Sequence, residues 1–175
     1  QPNGRFATVQ EELFETNAIR EVTCSFFFDA NSDGWLDLIV GYGGNEFTSG
    51  KNIQPQLYIN NKGKMLSEKN AFDPSVQGNF STIEVADLDS DGDLDVILSS
   101  DLVPGQFGKT PTNYVLFNDG NGHFKDVTTR FAPSFSSFGN IKNVKITDIN
   151  ADGKKDVLVV GHWIPISVFI NDGEQ

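Results

Sequence analysis

A short acidic pattern occurs three times in this chain and limits what the chain can fold into more than any other feature. Residues 29–40 read DANSDGWLDLIV, residues 87–98 read DLDSDGDLDVIL, and residues 148–159 read DINADGKKDVLV. Aligned, they give D-x-[DN]-x-D-G-x-x-D followed by three or four aliphatic residues, with first aspartates 58 and 61 positions apart. A second element keeps the same interval. LYINNKGKM, VLFNDGNGHF and VFINDGE each run from an apolar stretch into Asn and a Gly-rich turn, and the N-terminal NGRF joins the series. Gly4, Gly63 and Gly122 are 59 residues apart. Periods of this size mark a stacked or radial array of small units.

Each unit reads as four short strands. In the second, TIEVAD leads into the acidic loop, DVILSS leaves it, NYVLFN follows, and HFKDVT comes after the Asn-Asp-Gly turn. Val, Ile, Phe and Tyr fill these runs and turn residues bound them. Only EELFETNAIREV (11–22) suggests a helical turn or two. The fold expected is all-β, with about three β-propeller blades of four antiparallel strands each. Read from turn to turn, the repeats are 4–62, 63–121 and 122–175 within one domain, 1–175. In this frame RFATVQ is a fourth strand without its third, and SVFIN a third without its fourth. Three blades cannot close a ring, so the expectation is a segment of a larger propeller, or else two copies forming six blades. The segment is favoured because open sheet edges invite association.

The acidic loops place oxygen donors at positions 1, 3, 5 and 9, with a backbone carbonyl available at 7. Gly at position 6 (Gly34, Gly92, Gly153) permits the sharp turn that wraps such donors around one cation. The candidate side-chain ligands are Asp29, Asn31, Asp33 and Asp37; Asp87, Asp89, Asp91 and Asp95; and Asp148, Asn150, Asp152 and Asp156. Trp35, Asp93 and Lys154 stand at position 7, and the Asp93 carboxylate is expected to face solvent. Hard oxygens without His or Cys argue against zinc or copper. The donor count favours Ca²⁺ over Mg²⁺, about three ions in all, one per repeat and structural in role. An EF-hand is excluded, because position 12 is Val40, Leu98 or Val159 where a bidentate Glu would be needed. Metal-free Asx turns are the alternative. They require one or two Asx residues, whereas four crowded carboxylates repel one another.

Charge supports a cation partner. The formal net charge is −11, and eleven of the 24 acidic residues lie in these loops, so three divalent ions would leave −5. Such a chain is a poor partner for nucleic acid or anionic lipid. No apolar run is long enough to span a membrane. The single cysteine, Cys24, lies in CSFFFD and reads as a buried, inert thiol. The chain begins with Gln1, which suggests a mature or excised segment.

The motif D-x-[DN]-x-D-G-x-x-D-[LV], repeated near 60 residues with apolar-N-x-G turns, resembles the FG-GAP/VCBS repeat of integrin-α-like β-propellers. GYGGNEF (41–47) and GHWIPISVFIN (161–171) are similar to stretches of large secreted VCBS-repeat proteins of the cartilage-acidic-protein-like group, with departures at His162 and Ile164. The resemblance implies a seven- or eight-bladed, secreted or cell-surface propeller used for binding, and does not imply one ligand.

Partners are therefore expected to be a protein or glycan on the loop faces, together with the remaining blades of a parent propeller or a second copy. The runner-up functions are an accessory propeller of a secreted carbohydrate-active enzyme and a structural spacer in a large surface protein. No catalytic constellation is visible, and His123 reads as a solvated turn residue. His162 has no recurring acidic or nucleophilic partner. The long loops 41–55 and 101–111 are the expected recognition surfaces. Trp35 is expected to shield its loop or pack on the next blade, Trp163 to be core, and FAPSFSSFGN (131–140) to be a linker packed between blades. Asn79-Phe80-Ser81 is a formal glycosylation acceptor.

Overall fold

The computed structural model describes residue 4, residues 11–15 and residues 17–173. RFATVQ lies outside the described residues. A short helix, α1 (Glu11–Glu15), precedes three antiparallel sheets. The first contains β1 (Glu21–Phe28), β2 (Asp37–Gly43), β3 (Gln56–Asn61) and β4 (Lys64–Glu68), in that spatial order. The second contains β5 (Asn79–Ala86), β6 (Asp95–Leu102), β7 (Tyr114–Asn118) and β8 (Phe124–Asp126), again in order. The third has β9 (Asn140–Thr147), β10 (Asp156–His162) and β11 (Ser167–Phe169). Each sheet is a meander in which sequence neighbours pair, the arrangement of a propeller blade. The turn-to-turn frame of the repeats cuts a blade between its third and fourth strands, whereas each sheet starts on the strand that enters an acidic loop.

Register places the loops identically in all three blades. Phe28 pairs with Asp37, Ala86 with Asp95, and Thr147 with Asp156. The ninth residue of each acidic pattern is thus the first residue of its blade's second strand.

Blades stack face to face, and the cores lie between them. Phe28, Ile39 and Leu57 of the first blade meet Phe80, Val96, Leu98 and Leu116 of the second, each no more than 2% exposed. Leu88, Ile97 and Val115 of the second blade meet Ile141, Val144 and Val159 of the third. Each such side chain contributes about 1.5–3 kcal/mol when fully buried. The middle blade is covered on both faces, so the first six residues of β6 are all buried, as the unbroken run DVILSS requires. Gly41 lets the first two blades approach: a Cβ there would lie 3.0 Å from Cβ of Phe80 and 2.5 Å from Sγ of Cys24. Cys24 is packed against this core, and burial pushes its thiol up to about 11.

The 131–140 stretch is a packed linker, as expected. It completes α2 (Thr128–Phe131) and forms α3 (Pro133–Ser136), and Phe135 is 2% exposed. Phe131 meets Phe117 at 4.9 Å and Phe138 meets Phe169 at 5.0 Å, both edge-on. One expectation fails. Trp163 is 78% exposed, not core, because β10 ends at His162 and the Trp163 backbone turns left-handed at φ 59°. Asn79 is buried with its Nδ2 donating to the Gly44 carbonyl at 2.8 Å, so the folded chain closes that acceptor to glycosylation. No helix among the described residues is long and apolar enough to cross a membrane.

Candidate metal centres

Each acidic loop folds around its own carboxylates. In the first, Asp29 accepts from the Asp33 and Gly34 N–H groups at 3.1 and 2.8 Å, and Asp33 accepts from Trp35 N–H at 2.8 Å. The third repeats this: Asp148 accepts from Asp152 and Gly153, and Asp152 from Lys154. In the second, Asp87 accepts from Gly92 at 3.2 Å and Asp91 from Asp93 at 2.9 Å. The sixth-position glycines have φ of 85°, 98° and 89°, as the sharp turn demands. Position 4 is left-handed as well, at Ser32, Ser90 and Ala151, which no sequence signal announced.

The ninth carboxylates do more than the sequence suggests. Asp37, Asp95 and Asp156 are 0% exposed. Asp95 accepts from Leu88 N–H at 2.8 Å and Asn118 N–H at 3.0 Å. Asp37 accepts from Ala30 and Asn60, and Asp156 from Ile149 and Asn171, at 2.7–2.9 Å. Each ninth Asp therefore staples its loop to the end of the blade's third strand, and its remaining lone pairs stay available to a cation.

The asparagines at those strand ends join one blade to the next, a role the sequence reading missed. Asn118 Nδ2 donates to the Leu94 carbonyl of its own loop at 3.2 Å and to the Ala30 carbonyl of the preceding blade's loop at 2.9 Å. Asn171 Nδ2 reaches back in the same way to the Leu88 carbonyl at 2.9 Å. The Oδ1 atoms of Asn60, Asn118 and Asn171 accept from the glycines of their turns. The signal was present as an Asn recurring at one register position, but turn formation alone accounted for it.

The second loop is the most anionic. Asp87, Asp89 and Asp95 each bring a carboxylate oxygen within 4.8 Å of the others. Asp87 Oδ1 is buried with no hydrogen-bond partner, an orphaned anion of the kind a cation satisfies. Burial pushes the Asp95 carboxyl up to about 7, with Asp89 and Asp91 adding to the rise. Asp89 is raised as well, by burial and then by Asp91. The first and third loops relieve part of this crowding internally. Asn31 Nδ2 donates to Asp33 at 3.2 Å and Asn150 Nδ2 to Asp152 at 3.0 Å. In the third, the Lys154 N–H and ammonium hold the Asp152 carboxyl below the usual range. The Asp93 side chain does not face solvent freely: it lies over Gly120, where an added Cβ would meet its Oδ2 at 2.6 Å. The orphaned Asp87 oxygen and the all-oxygen donor set fit a hard divalent cation held by Asp87, Asp89, Asp91 and Asp95.

The model of the FG-GAP-like repeat matches residues 29–98 and 101–159, so all three acidic loops fall within the match. The chain belongs to the FG-GAP-like repeat family. Its three meanders are FG-GAP blades, with the acidic loop between the first and second strands of each. No curated protein matches the chain. Among solved structures it is similar to that of an Agrocybe aegerita lectin described for specific recognition of non-reducing terminal N-acetylglucosamine, at 19% identity and a TM-score of 0.47. That match covers 85% of this chain and 38% of the lectin chain, so the FG-GAP blades here span well under half of that structure.

Outside the loops, His123 is a half-exposed turn residue 3.4 Å from Asp119. Trp35 is 43% exposed at the rim of the first loop. Phe107 in the 101–111 loop is 98% exposed and packs edge-on against Trp163 at 6.2 Å. These two rings come from adjacent blades, and the fold brings them together.

Proposed function

We propose that the chain is an extracellular recognition module whose acidic loops hold Ca²⁺ as structural ions, and whose protein or glycan ligand meets Phe107 and Trp163. The observation that carries the ligand reading is this exposed aromatic pair, contributed by loops of two blades. Rings displayed in this way stack on the apolar faces of sugars or anchor protein contacts. The left-handed backbone at Trp163 adds support, because strained φ values at bulky residues concentrate at binding sites. The metal reading rests on the orphaned Asp87 oxygen and on oxygen-only donors in sufficient number for Ca²⁺. Further partners under this reading are the remaining blades of a larger propeller or a second copy, which would cover Ile149, now 47% exposed.

The test is a glycan array and a protein-ligand screen on calcium-loaded chain, with Phe107→Ala and Trp163→Ala beside the wild type. Binding that both variants lose while keeping wild-type circular dichroism supports the proposal. Binding indifferent to both rings removes this surface from it. Calorimetric titration with Ca²⁺ tests the ions separately, and the absence of binding heat would overturn that half.

A further inference from the structure

We propose that Asn118 and Asn171 couple the acidic loops across the seams, so that a divalent cation held in one loop raises the affinity of the loop in the neighbouring blade. The inference rests on the calcium reading of those loops. Neither asparagine is itself a candidate ligand. Asn118 Oδ1 accepts from the Gly120 and Gly122 N–H groups at 3.2 Å each, and Asn171 Oδ1 from Gly173 at 3.0 Å. Both are positioning residues.

The carrier is an unbroken line of hydrogen bonds through the three blades. The Ala30 N–H donates to Asp37 at 2.9 Å, and the Ala30 carbonyl accepts from Asn118 Nδ2 at 2.9 Å. The Asn118 N–H donates to Asp95 at 3.0 Å, and the other Asp95 oxygen accepts from Leu88 N–H at 2.8 Å. The Leu88 carbonyl accepts from Asn171 Nδ2, whose own N–H donates to Asp156, both at 2.9 Å. The second residue of each of the first two loops is thus gripped from both sides, by its own ninth aspartate and by the next blade's asparagine. Ala30 stands between the candidate ligands Asp29 and Asn31, and Leu88 between Asp87 and Asp89, so the grip sets the direction of those donors. Asp37, Ala30, Asn118, Asp95 and Leu88 are all buried, where hydrogen bonds in series strengthen one another. Once Asp95 is fixed by a cation, the end of β7 is fixed with it, and so are the Asn118 amide and the Ala30 peptide. The first loop then has less freedom to lose when it closes on its own ion. Linkage makes the effect mutual, about fivefold in affinity, the scale of one net hydrogen bond. Direct repulsion between two bound cations has the opposite sign.

Trp35 lies in the first loop and reports that loop once Trp163→Phe removes the other indole. In that background, calcium titrations are followed by Trp35 fluorescence, with total uptake read by calorimetry. Asp91→Ala, at an exposed position of the second loop, empties that loop and is expected to weaken calcium at the first loop about fivefold. Charge alone predicts the reverse, since the emptied second loop is more negative than the calcium-filled one. Asn118→Asp keeps the acceptor for the glycine turn, loses the donations to Ala30 and Leu94, and is expected to abolish the Asp91 effect. Asn171→Asp, in the other seam, leaves that effect intact. If Asn118→Asp fails to fold, Asp33→Ala takes its place: it empties the first loop, and calcium in the second should still slow amide exchange at Ala30 about fivefold. An unchanged first-loop midpoint in Asp91→Ala, a persistent effect in folded Asn118→Asp, its loss in Asn171→Asp, or unmoved exchange at Ala30 would overturn the coupling and leave the calcium reading standing. Absence of all calcium uptake overturns both.

Discussion

The second and third blades carry the same loop in different surroundings. In the second, the Leu88 and Asn118 N–H groups that reach Asp95 are buried, and neighbours cover both faces of the sheet. In the third, the matching bonds to Asp156 are only partly buried, and Ile149 is 47% exposed where Leu88 is 4%. The loops differ too: five aspartates without an internal cation in one, three aspartates with Asn150 and Lys154 in the other. One motif is therefore stabilised in two ways. The second loop is held by its buried seams and leaves its carboxylates crowded, whereas the third relieves part of that crowding with its own amide and ammonium.

The largest expected effect breaks the comparison at the ninth aspartate. Asp95→Ala strands two buried donors and is expected to cost about 2–5 kcal/mol in urea denaturation. Asp156→Ala, whose donors water can reach, should cost about half as much or less. Equal losses would mean that burial in the seam does not matter. Next comes the asparagine latch. Asn118→Ala removes bonds to two loops and a turn and should destabilise the chain by about 2 kcal/mol, with Asn171→Ala costing about 1 kcal/mol. A double mutant Asn118→Ala/Asp95→Ala should be sub-additive, since both act on one network.

Chelation sharpens the contrast further. Adding EDTA to calcium-loaded chain should speed amide exchange in the β5–β6 hairpin more than in β9–β10, because the second loop has no internal relief for its charge. Faster exchange in the third hairpin would reverse the assignment. The smallest effect expected is at Lys154. Lys154→Met should strengthen calcium binding at the third loop about twofold to fivefold, the usual scale for an exposed charge pair, and leave the second loop unchanged in calorimetry.

Much of this was legible in the residues. Alternating Asp and Gly at fixed spacing named the loops, and DVILSS and NYVLFN named strands, because those patterns reflect local backbone chemistry and two-residue periodicity. The linker 131–140 was legible because three phenylalanines within ten residues call for an apolar face to bury them. Trp163 was not: an indole after VLVVGH resembles core until the chain is seen to turn away from the sheet. The Asp93 carboxylate was misplaced because its contact, Gly120, lies in another hairpin. Asn118 was underestimated because its decisive acceptor, Ala30, is 88 residues away.

By itself, then, the sequence determined the repeat, its strands, its turns and the donor types in each acidic loop, since these depend on neighbours a few positions apart. The tertiary structure decided which carboxylates are buried, which asparagine bridges two blades and which rings meet at the surface. Those outcomes follow from stacking one sheet on another, where residues about 60 positions apart compete for the same space.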